Sequence, residues 1–199
     1  MEYMIRQCRL DDLQALNRIC LLTGDNGADA SQLYRDPELL GQYYAAPYAV
    51  LEPDLAFALA REDTPYGYVL GARDSAAFYE RREREWFPAL RERYPQPEPD
   101  DDSPDAQIIR LFYKQRQVDD DLADYPAHLH IDILPEAQGQ GWGRKLIDTL
   151  LGRMRALDVP GVHLHVGKLN TRAIGFYKQV GFHQIAERPT SLALGQKLA

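Results

Sequence analysis

Cysteine is nearly missing from this 199-residue sequence. Cys8 and Cys20 are too few for a disulfide framework, and their spacing matches neither a metal knuckle nor a C-x-x-C redox pair. They read as buried thiols in a reducing compartment, Cys8 on a strand and Cys20 on a helix. No apolar run approaches the roughly 18 residues of a membrane-spanning helix, and the first nine residues lack the basic-then-apolar pattern of a secretory leader. A cytoplasmic location is the expectation. Positive charge is short as well, with 23 Lys and Arg against 30 Asp and Glu and a formal net charge of −7. Nucleic acid and anionic membrane are therefore poor partners, since both demand a concentrated basic surface. A cationic small molecule or peptide suits the balance better. No internal repeat is present, and a 45% hydrophobic content is enough for one domain with a substantial core. Composition leaves the oligomeric state open.

What is present concentrates between His128 and Phe182. From His128 to Leu134, Leu129, Ile131 and Ile133 alternate with His128, His130 and Asp132, the period of a strand that Pro135 stops. Gln138-Gly139-Gln140-Gly141-Trp142-Gly143 follows, and then Arg144, Leu146, Ile147, Leu150, Leu151 and Met154 recur at helical spacing. Glycines at a helix start let the backbone approach a ligand, and the unpaired N–H groups with the positive end of the helix dipole attract an anion. Strand, turn and helix thus form a pyrophosphate cradle. The glycines run G-x-G-x-G, not the G-x-G-x-x-G of a dinucleotide fold, and Lys145 lacks the hydroxyl residue that completes a P-loop, which also weakens an ATP-binding reading. The pattern that fits is Q/R-x-x-G-x-G/A, at Gln138, Gly141 and Gly143. Four histidines form two H-x-H pairs, His128 with His130 and His163 with His165. Without carboxylate or cysteine companions at ligand spacing, they read as pocket-shaping residues and not as a metal site.

Further on, Val162 to Val166 reads as a second short strand, Asn170 as an N-cap, and Ala173, Phe176, Tyr177 and Val180 as a helix that Gly181 ends. The stretch matches N-x-x-A-x-x-F-Y-x-x-x-G-F at Asn170, Ala173, Phe176, Tyr177, Gly181 and Phe182. With both motifs in order, the sequence resembles the GCN5-related N-acetyltransferases (GNAT) over about residues 128 to 187. More loosely, the whole chain is similar to bacterial relatives of the acetyltransferase-like C-terminal domain of O-GlcNAcase.

The resemblance implies an α/β fold: a mixed, mostly antiparallel sheet of six to seven strands, helices on both faces, and a splay between strands four and five. It implies acetyl-CoA as cosubstrate, no metal, and transfer of acetyl to a primary amine of a small molecule or peptide by direct attack. Ile131 and Ile133 would pair with the pantetheine arm through their backbone. Gln138, Gly139, Gln140, Gly141, Trp142, Gly143 and Arg144 would hold the pyrophosphate, with Lys145, Lys168 and Arg172 near enough in sequence to help. Asn170, Ala173 and Phe176 would border the cofactor. Tyr177 stands in the family position of the proton donor, and either Asp132 or His130 would be the general base. The competing reading is a module that binds acetyl-CoA or CoA without transferring it.

The remaining segments are consistent with that layout. Tyr3 to Cys8 reads as a strand, Asp11-Asp12 opens a helix with Leu13, Leu16, Ile19 and Cys20 on one face, and Pro37 starts another carrying Tyr43 and Tyr44. Between these helices lies a turn-rich loop over 23–30; Asp25, Asn26, Tyr43 and Tyr44 are candidates to line the acceptor pocket. Residues 55–61 and 66–72 form a hairpin joined by Glu62-Asp63-Thr64-Pro65, residues 75–93 one surface helix, and 106–114 another helix. The segment 73–127 is longer than the family's usual link between strands three and four and should form a lobe beside the site within a single unit, 1–199. Phe182 to Glu187 and Ser191 to Leu198 complete seven strands.

Overall fold

The computed structural model describes residues 2–198; residues 1 and 199 of the expected unit lie outside it. The alternating segments become seven strands of one sheet: β1 (Met4–Gln7), β2 (Ala56–Arg61), β3 (Thr64–Ala72), β4 (Ala127–Ile133), β5 (Gly161–Gly167), β6 (His183–Glu187) and β7 (Ser191–Lys197). Their order is β1-β2-β3-β4-β5-β7-β6, and every neighbouring pair is antiparallel except β4 with β5. Seven strands in a mixed, mostly antiparallel sheet is the expected architecture.

Because successive side chains leave opposite faces of a strand, the central strands feed two cores. On one face Tyr68, Leu70 and Ala72 of β3 pack with α1 (Leu13–Leu22), α2 (Leu39–Tyr44), α3 (Ala46–Leu51), α4 (Ser75–Glu85), α5 (Phe87–Arg93) and α6 (Pro104–Tyr113). On the other, Val69 and Leu129 pack with α7 (Trp142–Ala156) and α8 (Thr171–Gln179). The apolar stripe of α7, from Leu146 and Ile147 through Leu150 and Leu151 to Met154, is buried as its spacing predicts. No helix among the described residues is long and apolar enough to cross a membrane.

Local chemistry decides the departures from expectation. The β2–β3 connection is shorter than four residues: Glu62 and Asp63 both take positive φ, 49° and 66°, as a two-residue hairpin turn does, so Thr64 and Pro65 already belong to β3. The stretch 75–93 is two helices. Pro88 removes a backbone donor and its ring crowds the carbonyl four residues back, so the chain breaks at Trp86 and restarts with proline in the first turn. Neither helix is merely superficial, since Phe78, Tyr79, Arg82, Phe87 and Leu90 are buried. Helix α3, with Pro47 in its first turn, was not anticipated. Cys8 lies just beyond β1 and is half-buried, whereas Cys20 is buried. The segment after β3 packs Phe78, Phe87 and Phe112 into the same core as α1 and α2, which brings α6 to the edge of the site.

Candidate active site

The only parallel pair in the sheet is short. β4 and β5 meet at Ala127 with Val162 and at His128 with His163, and no further pairing follows. Beyond that point the strands diverge around a cavity of about 710 Å³. The Leu134 amide donates to the Tyr66 carbonyl, so with antiparallel alternation Asp132 and His130 also turn their backbone groups toward β3. Ile131 and Ile133 consequently present theirs to the gap. The Ile133 carbonyl accepts from the Gln138 side-chain amide at 2.6 Å, which leaves the Ile133 N–H and both groups of Ile131 facing the gap without a paired strand.

At one end of the gap sits the glycine turn. Gly139 and Gly141 have φ of 75° and 80°, and a Cβ built on either meets no atom within 4 Å. The turn is therefore an open concavity. Gly141 is the N-cap of α7 and offers no side chain, so the first N–H groups of that helix keep no capping partner. Gly143 has a different use: its missing Cβ would stand 3.1 Å from the Phe176 ring, which sets how closely α7 and α8 approach. Gln138, Arg144, Asn170, Ala173 and Phe176 line the same end. Gln140 and Trp142 do not; Gln140 donates to the Glu136 carbonyl at 3.2 Å, and Trp142 packs edge-on against Tyr3 under the Lys145 ammonium. Of the nearby cations, Lys145 is held on that indole and Lys168 pairs with Glu187 at 2.6 Å, while Arg144 donates to the Gln179 carbonyl at 2.8 Å. Arg172 lines the cavity, with no ion pair among the described residues.

Where the two faces of the sheet meet across the gap, the titratable groups gather. Asp132 and His130 enter from the α1 face and Tyr177 from the α8 face, all lining the cavity. Asp132 accepts from the Tyr68 hydroxyl at 2.6 Å and lies 3.6 Å from His130 Nε2. Burial lifts its carboxyl above the usual range, against the pull of His130 and the hydrogen bond from Tyr68. The Tyr177 phenol is pushed up by burial first and by the Asp132 charge second, and its hydroxyl has no hydrogen-bond partner among the described residues. Asn170 caps α8, its side-chain oxygen accepting from the Ala173 amide at 3.0 Å.

The far end is walled by Thr23, Tyr34, Leu40, Tyr44, Ile108 and His165. Of the four residues expected at the acceptor pocket, Asn26 and Tyr44 line the cavity. Asp25 and Tyr43 do not, Tyr43 being packed on Phe87 and Phe112 under the Arg82 guanidinium. The histidines divide likewise. His130 and His165 face the cavity, but His128 and His163 lie buried behind it; His128 uses both ring nitrogens, on Tyr48 at 2.8 Å and Ser75 at 2.7 Å, and His163 bonds the Tyr125 carbonyl at 2.7 Å. Only two of the four can shape the pocket. Among the described residues no three His, Cys, Asp or Glu side chains converge as a metal site. Tyr34, Tyr68 and Ile108 went unnoticed in the sequence. For Tyr68 a signal existed in the alternation of β3, which puts it opposite Asp132; Tyr34 and Ile108 reach the cavity only through packing of the helical layer.

Comparison with known proteins sharpens this arrangement. The crystal structure of SsHAT superposes over the whole of both chains with a TM-score of 0.95 and 39% identity. Protein O-GlcNAcase of Rattus norvegicus is 27% identical over 188 residues, which is 93% of this chain but 20% of that protein, so the chain spans about a fifth of the length of this relative. At 14% identity and a TM-score of 0.57, with 99% of each chain covered, the likeness to the PaiA N-acetyltransferase of Thermoplasma acidophilum in complex with coenzyme A is one of fold. A sequence profile of the Acetyltransferase (GNAT) family matches residues 29–182. A match over that much of the chain, on a sheet parted between β4 and β5, means that the protein belongs to the GNAT acetyltransferase family.

Proposed function

We propose that the protein is an acetyl-CoA-dependent N-acetyltransferase that places an acetyl group on a primary amine by direct attack. The observation that carries this reading is the gap itself, which has an open backbone cradle at one end and, at its middle, the half-buried Asp132 carboxylate and the Tyr177 phenol. The chain's residues fit the cofactor: a Cβ at Gly139 or Gly141 would occupy room that a pyrophosphate needs, and the unpaired edge of Ile131 is a template for an extended amide-bearing arm. Family membership and the coenzyme A complex of PaiA support the same cofactor.

Bound along the gap, acetyl-CoA supplies a thioester whose carbonyl carbon bonds to the acceptor nitrogen as its C–S bond breaks. The residues then divide the work. The turn from Gln138 to Arg144 holds the phosphates through backbone N–H groups, with Gln140 and Trp142 contributing main chain alone, and Asn170, Ala173 and Phe176 border the arm. Asp132, with His130 beside it, takes the proton of the attacking amine; a carboxyl raised by burial is the better base near neutral pH. Tyr177 donates a proton to the leaving sulfur, and its elevated pKa keeps that proton in place until the thiolate forms. Tyr44 and His130 give the chamber aromatic walls next to the carboxylate, an environment that accepts an ammonium group of a small molecule or a peptide. We read 73–127 as a lobe of this one unit, since Ile108 lines the chamber and Phe78 and Phe112 share its core. The acidic balance keeps nucleic acid and anionic membrane outside this reading, and a cytoplasmic setting suits it.

The test is acetyl-CoA calorimetry followed by thiol-release assays over a panel of small amines, aminoglycosides and peptides. Binding with amine-dependent CoA release is the expected result. Binding with no release above background hydrolysis on any amine would replace the enzyme with a binding module.

A further inference from the structure

Asp132 has a partner that lies outside the cavity. Tyr68 is fully buried on β3, directly opposite Asp132 in the β3–β4 register, and its hydroxyl donates to Asp132 Oδ2 at 2.6 Å. A phenol carries one proton, so toward His130 Nδ1, 3.3 Å away, the same oxygen can only accept. One hydroxyl thereby orients both the carboxylate and the imidazole that line the gap. We propose that Tyr68 is a positioning residue that holds Asp132 and His130 in the arrangement receiving the acceptor's proton and sets the pH above which Asp132 can receive it. The proposal rests on Asp132 being the general base.

The groups that face Asp132 show why Tyr68 has this influence. From β3 comes Tyr68, from β4 His130, from α1 Cys20 with Thr23 just beyond it, and from α8 Tyr177. The Cys20 thiol and the Tyr177 phenol are both driven upward by burial and by the Asp132 charge, so neither ionises where the carboxyl does. Burial opposes the ionised carboxylate; His130, Tyr68 and Thr23 favour it. Of these three, Thr23 Oγ1 already donates to the Ile19 carbonyl at 2.8 Å and His130 lies 3.6 Å off, which leaves Tyr68 with the short contact. The sign follows. Tyr68 stabilises the charged form, so removing its hydroxyl raises the Asp132 pKa and moves the acidic limb of the rate profile to higher pH. A hydrogen bond to an ionised group corresponds to a shift of about one to two pH units.

Tyr68→Phe keeps the ring and its packing. In protein carrying 13C-labelled aspartate, the Asp132 carboxyl signal, identified by its loss in Asp132→Asn, should titrate about one unit higher or more in Tyr68→Phe than in the unsubstituted protein. This readout needs no acceptor. The acidic limb of kcat/KM should move by the same amount, and the KM for acetyl-CoA should hold. An unmoved carboxyl midpoint, or a loss of rate equal at every pH, would overturn the proposal and leave Tyr68 a packing residue. Should Asp132→Asn retain the acidic limb, the base assignment fails instead, and the NMR midpoint still decides what Tyr68 does to the carboxyl. If Tyr68→Phe does not fold, a difluorotyrosine at position 68 is a stronger donor and should move the midpoint downward; no movement there overturns the proposal as well.

Discussion

The two ends of the gap are built on opposite principles. The end we assign to the cofactor comes from 131–144 and 170–177, and it offers backbone: the edge of β4, two left-handed glycines and the uncapped start of α7. The end we assign to the acceptor is lined from widely separated places, Thr23 after α1, Tyr34, Tyr44 of α2, Ile108 of α6 and His165 of β5. Backbone recognition needs a fixed conformation, and a conformation is written in the spacing of a few residues. Side-chain recognition needs segments brought together by packing, and here that packing runs through six helices on one face of the sheet. Substitutions at each end should therefore fail in different ways.

The largest effect belongs where the ends meet. Tyr177→Phe keeps the ring against Phe176 and Phe182 and removes the proton proposed for the leaving sulfur. We expect kcat to fall by about 10²- to 10⁴-fold while acetyl-CoA affinity measured by calorimetry stays level. A rate equal to that of the unsubstituted protein would end the proton-donor assignment and move the chemistry wholly to the acceptor end.

Next in size is the cofactor end alone. At Gly141, φ is 80°, a region costly to a β-branched residue, and the added methyls would project into space that no protein atom fills. Strain of about 1–3 kcal/mol, set against the bound geometry, corresponds to roughly 10- to 100-fold weaker acetyl-CoA binding in a folded Gly141→Val protein. Amine affinity should not follow it. Undiminished calorimetric affinity for acetyl-CoA would place the phosphates elsewhere.

That contrast also accounts for what the sequence revealed. The strand, turn and helix from Ala127 to Ala156 and the cap at Asn170 were legible because each is decided within one turn or one alternation. The seven strands were legible for the same reason. The break at Trp86 was missed although Pro88 is in plain view, because the charged residues on either side continue a helical pattern across it. His128 and His130 look alike in the sequence, yet one is buried with both ring nitrogens bonded and the other faces the cavity; the difference is the distance along β4 from the last pair with β5, a tertiary quantity. Tyr43 and Tyr44 part in the same way: their rings touch edge-on at 4.7 Å, yet Tyr43 packs into the core on Phe87 and Phe112 while Tyr44 lines the cavity, on a short helix that the sequence could place but not orient.

The smallest effect separates structure from recognition at one residue. Asn170 caps α8 through its side-chain oxygen and also lines the cavity, so Asn170→Ala removes both a helix cap and a polar group beside the proposed arm. Loss of the cap should cost about 1 kcal/mol in chemical denaturation. Asn170→Ser restores an oxygen able to accept from the Ala173 amide and so should recover most of that stability, but it offers no amide N–H to a ligand. If acetyl-CoA affinity drops in both variants while stability drops only in the alanine protein, Asn170 belongs to the backbone-built end as a true contact. If affinity is level in both, its side chain serves α8 alone, and recognition at that end is more completely a matter of main chain than the cavity lining implies.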